Sequence, residues 1–94
     1  MESIKQYLLE DTDREIRLKE GEIKTSNEEI KTLEARLKVE NKMSVMLDIP
    51  EEIKEDVKYS IEALESMLMM EKDRNAELKK ELKVLNYRKQ VINK

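Results

Sequence analysis

The chain has 94 residues, 38% of them hydrophobic and 44% charged, where ordinary soluble domains run near 45–50% and about 25%. His, Cys, Phe and Trp are absent and Gly and Pro occur once each, which excludes thiol and imidazole chemistry, disulfides, the usual zinc sites and Gly-rich phosphate loops. With 19 basic against 22 acidic residues, a net charge of −3 carries no whole-chain bias toward nucleic acid or a membrane surface.

The N-terminal residues show neither a basic stretch nor an apolar run, so no signal peptide is expected. No segment approaches the roughly 18 apolar residues of a membrane span. The opening Met reads as the start of a complete chain, and a cytoplasmic setting follows as the expectation. Richness in Lys, Glu, Ile and Asn hints at a microbial or viral source, in which case the cytoplasm is that of the microbe or the virus-infected cell.

The first arm is expected to be helical over about residues 2–47. Leu9, Ile16, Ile23, Ile30 and Leu37 recur every seven residues. Their companions three positions on are Thr12, Lys19, Ser26, Leu33, Glu40 and Leu47, so only half of this seam is apolar. That is the signature of a weak coiled coil. A second stripe, Leu18, Thr25, Thr32, Val39 and Met46, repeats with the same period on another side of the helix. Gly21 and the capping pattern of Ser26 with Glu29 are the weaker breaks. We expect one nearly continuous helix, with a split near 21–26 as the alternative.

Asp48-Ile49-Pro50-Glu51-Glu52 is the strong break. Proline pushes Ile49 out of the helical region and suits the start of a new helix, whose acidic first turn complements the helix dipole. The turn is expected at about 48–50. The second arm, about 51–92, carries one stripe from Ile53 through Val57, Ile61, Leu64 and Leu68 to Leu78, Leu82, Leu85 and Ile92, interrupted at Glu71 and Asn75. The fold class is therefore all-α: one domain, residues 1–94, a long antiparallel helical hairpin resembling a coiled coil. Folding back at 48–50 pairs positions whose numbers sum to about 98, which sets Asn75 near Ile23 and Ser26 and brings polar residues together. Residues 2–29 hold nine acidic and five basic side chains, and residues 79–94 hold one acidic and six basic, so the arms also match in charge. A single hairpin leaves the second stripe wet, so a homodimer forming a four-helix bundle is expected.

Six Met occur in the chain, and Met67-Leu68-Met69-Met70 breaks the amphipathic rule. One reading is a wider core where a second hairpin packs. The other is an adaptable docking surface, since Met suits partner grooves. Val39, Met43 and Met46 near the tip join Met67, Leu68, Met69 and Met70 as the candidate protein interface. The basic stretch Lys79–Lys89 reads as a solvated face, so nucleic-acid binding ranks last among the binding readings. Carboxylates are abundant, but two packed helices offer no pocket for acid–base work or metal binding. We expect no enzyme, cofactor or metal and no membrane association. The expected function is a protein–protein interaction module, a small microbial or viral regulator, inhibitor or adaptor that pairs with itself and with an unidentified protein. The alternative is a self-assembling structural subunit.

Overall fold

A computed structural model describes residues 2–94, with side chains from Ser3 onward. Two α-helices, α1 (Glu2–Ser44) and α2 (Glu51–Asn93), contain nearly all of them. The helices are in contact as a hairpin, and there is no strand among the described residues. Helix-favouring Glu, Lys, Leu and Arg dominate both sequences.

α1 runs unbroken through Gly21. The residue is exposed, and a Cβ built there meets nothing within 4 Å. Glycine at such a site weakens the helix through backbone entropy alone. Gly21→Ala is therefore expected to stabilise the chain by about 1 kcal/mol, raising the melting temperature by about 4–8 °C. A lower melting temperature would show that the open side of Gly21 is occupied.

α1 ends at Ser44, three residues before the expected boundary at 47. The Ser44 hydroxyl donates to the Asn41 carbonyl at 2.7 Å, and the Met46 N–H donates to the Met43 carbonyl at 3.1 Å. These bonds satisfy carbonyls that a helix end leaves open. The Ser44 hydroxyl bonds a backbone carbonyl of the preceding turn, and short polar side chains that compete for backbone partners in this way favour helix ends over helix interiors. The turn uses 45–50, and Leu47 leaves the seam at 96% exposed. Pro50 then opens α2, its carbonyl accepting from the N–H groups of Ile53 and Lys54 at 3.1 Å each.

The contacts fall into two units, residues up to Ser26 with Arg74–Lys94, and Asn27–Asp73. In the second unit Leu33, Val57 and Leu64 are buried, with Ile30, Leu37, Ile61 and Leu68 half-buried around them. Glu40 occupies a seam position there, and its Oε2 is buried with no hydrogen-bond partner. An unsatisfied buried acceptor costs about 1–3 kcal/mol. Glu40→Leu is thus expected to raise stability, read as a higher urea midpoint with an unchanged slope. A lower midpoint would mean the carboxylate is satisfied in solution.

In the first unit Leu78 and Leu85 are buried, together with the polar Thr12, Ser26 and Asn75. Leu9, Ile16, Ile23, Leu82 and Ile92 are half-buried. The Asn75 amide donates to the Ser26 hydroxyl at 3.0 Å. Ion pairs tie the same two segments: Lys19–Glu81 and Lys89–Asp13 at 2.7 Å and Arg88–Glu15 at 3.9 Å. These ion pairs sum to 100–103 in residue number rather than 98. A slip of about three residues is close to one helical turn. It keeps each seam facing its partner, so periodicity does not fix it. The Ser26–Asn75 hydrogen bond, whose numbers sum to 101, lies in this same register.

Candidate protein-interaction faces

The seam consumes two of every seven positions on each helix, and the flanking positions decide what the surface offers. In the second unit Val39, Ala63 and Met67 line one groove between the helices, with Arg36, Glu40 and Ser60. Val39 and Met67 are 58% and 47% exposed. Met43 and Met46 lie four and seven residues after Val39, and Met70 lies seven after Ala63, which places them on the same sides of their helices. Met43 is half-buried, whereas Met46 and Met70 are exposed. The structure thus brings together candidates nearly thirty residues apart in sequence.

The cluster at 67–70 does not form one patch. Leu68 is half-buried in the seam, while Met69, 66% exposed, lines a different groove with Leu68, Glu65, Lys72 and Asp73. Consecutive helical residues differ by about 100° in direction, so four in a row wrap around the helix.

The first unit holds a groove that sequence reasoning did not assemble. Leu18 and Val84 line it with the buried Leu85, together with Glu15, Glu22 and Arg88. Leu18 belongs to the second stripe of α1. The signal for Val84 was a similar stripe in α2, Ala63, Met70, Val84 and Val91, all in step with a seven-residue repeat. It is masked by Glu77, which falls in the same register.

Lys19 crosses the wall of this groove. Its Nζ meets Glu81 at 2.7 Å and Glu22 at 3.7 Å, with 21% of the side chain exposed. The hydrogen bond to Glu81 holds the ammonium above its ordinary value of 10.5, partial desolvation opposes this, and the charge of Glu22 adds to it. A raised lysine contributes stability that is complete below the unfolded-state value and is lost as pH climbs through the folded-state value. The stability gap between the native chain and Lys19→Met should accordingly be constant at neutral pH and shrink above about pH 10.5. Urea titrations at both pH values test this, and a gap that widens with pH contradicts it.

Among the described residues no cluster of three acidic side chains could hold a metal ion, and no helix is long and apolar enough to cross a membrane. The fold and its surfaces define a two-helix antiparallel hairpin with open apolar grooves. In comparisons with known proteins, no family model, curated protein or solved structure matches the chain.

Proposed function

We propose that the chain is a non-enzymatic protein–protein interaction module working by helix-face recognition, that it pairs with a second copy as a four-helix bundle over its first unit, and that the methionine face of its second unit docks another protein. The observation that carries this reading is the apolar surface left outside the seam. Val39, Met46, Met67 and Met70 are 45–69% exposed, and Val39 and Met67 share a groove. Methionine is flexible and polarizable and re-packs against varied partner surfaces. Such a module fits a small regulator, inhibitor or adaptor. The charged residues beside the groove, Arg36 and Glu40, would select the partner by complementarity.

Exposed Met69 on a different groove favours a second reading. A chain with apolar surfaces on two sides can assemble without closure, as a structural subunit. Sedimentation velocity over a hundredfold concentration range separates the two. A closed dimer supports the module, and open-ended growth supports the subunit. The docking face is tested with Met67→Glu/Met70→Glu. Helix content should be unchanged, because neither residue is in the seam, while a partner cross-linked to the native chain in its source cell is lost. Retention of that partner would remove the methionine face from the account.

A further inference from the structure

We infer that the Leu18–Val84 groove of the first unit is covered by the same groove of a second copy, with α1 of each copy lying over α2 of the other. This rests on the self-association proposed above and specifies its surface and arrangement. Three observations carry it.

The first is area. The chain exposes 7543 Å², whereas a compact monomer of 11.2 kDa exposes about 5,700 Å². The difference exceeds the roughly 800 Å² that each partner loses in a standard interface. Only five apolar side chains are buried among the described residues.

The second is the groove itself. Leu18 is 63% exposed and Val84 48%. They sit side by side across the two helices, so a two-fold partner presents Val84 to Leu18 and Leu18 to Val84. Such an interface is self-complementary and closes at two copies.

The third is charge, and it fixes the arrangement. Residues 2–29 carry a net −4 and residues 79–94 a net +5. With α1 over the partner's α2, every acidic segment has basic neighbours, within the chain and across the interface. With α1 over the partner's α1, −4 would lie on −4, and like charges at close quarters suppress association. Glu15 and Arg88 border the groove and meet each other only at 3.9 Å, each about half exposed. Each therefore retains capacity for a counter-charge on the second copy.

The chain contains no Cys, so single-cysteine cross-linking of the full-length protein is a clean test. Leu18→Cys and Val84→Cys variants are prepared separately, mixed and oxidised, with sedimentation equilibrium on the unoxidised mixture. The expected result is dimer mass, with a disulfide that joins one Leu18→Cys chain to one Val84→Cys chain and forms only in the mixture. Disulfide-linked dimers of Leu18→Cys alone, with dimer mass intact, would overturn this arrangement while leaving self-association standing. A dimer with no disulfide of either kind would place the interface elsewhere and also overturn it. Monomer mass at every concentration would overturn both this inference and the self-association on which it rests.

Discussion

Leu33→Asp is expected to abolish most of the helical structure at 25 °C. Leu33 is 1% exposed, the most buried apolar side chain of the second unit. Truncating a buried leucine costs about 2–5 kcal/mol through lost transfer energy and the cavity left behind. Aspartate adds a carboxylate that must be buried without a partner or be protonated to fit, at a further cost of several kcal/mol. Domains of this size have about 5–15 kcal/mol in total, so the substitution removes most or all of the margin. The internal control is Ala35→Asp, two residues along the same helix on an exposed position. It should cost under about 1 kcal/mol, the helix-propensity difference. Far-UV circular dichroism reads both. Equal loss for the two variants would mean that the seam does not pass through Leu33.

Asn75→Ala is expected to lower stability by about 1–3 kcal/mol, because it strips the donor from a hydroxyl that has no access to water. Ser26 is 0% exposed and Asn75 5%, with 3.0 Å between the amide nitrogen and the hydroxyl. Over this chain length the loss corresponds to a fall of roughly 5–20 °C in melting temperature. The informative companion is Asn75→Leu/Ser26→Ala, which replaces both polar partners with apolar ones. Stability should recover part of this loss, since the bond between the two side chains is worth little more than good packing. What is lost is register. A slip of about one turn keeps the faces matched, and a buried polar pair in a coiled-coil seam is a known means of forbidding it. Inter-helix distances measured by spin labels should be single-valued in the native chain and broadened in the double variant. A sharp distribution in the double variant would assign register to the ion pairs instead.

Most of the hairpin is legible in the sequence. The seven-residue repeat of Leu9 through Leu37 and the stripe of three- and four-residue steps from Val57 through Ile92 mark seams that are half-buried or buried, whereas Ile53, at the head of that stripe, is 40% exposed. Pro50 marks the reversal because the physics of its ring is local. The helix end at Ser44 was not legible, because a single serine is a weak stop signal and the strong signal, Pro50, lies six residues further on. The pairing of Ser26 with Asn75 was visible as polar residues brought near each other, but its register was not, since periodicity is blind to a one-turn slip. The candidate interface was legible in part. Val39 and Met67 line one groove, and the run at 67–70 wraps around its helix as the 100° step requires, which sets Met69 on a different groove.

Every surface discussed above is defined by the chain pairing with itself, since only then do the second stripes of α1 and α2 fall outside a seam. The direct test is a distance within one chain. Spin labels replace Arg17 and Lys83, both exposed and both in the first unit. The doubly labelled protein is diluted into an excess of unlabelled chain, so that only intramolecular distances are read. Paired helices with axes about 8–10 Å apart place such labels within about 25 Å. A chain that failed to turn back, continuing as one helix over the 66 steps from one to the other, would hold them about 100 Å apart at 1.5 Å per residue. We expect the short distance, unchanged on dilution. A long distance, or a short one that disappears on dilution, would contradict the hairpin and every face derived from it.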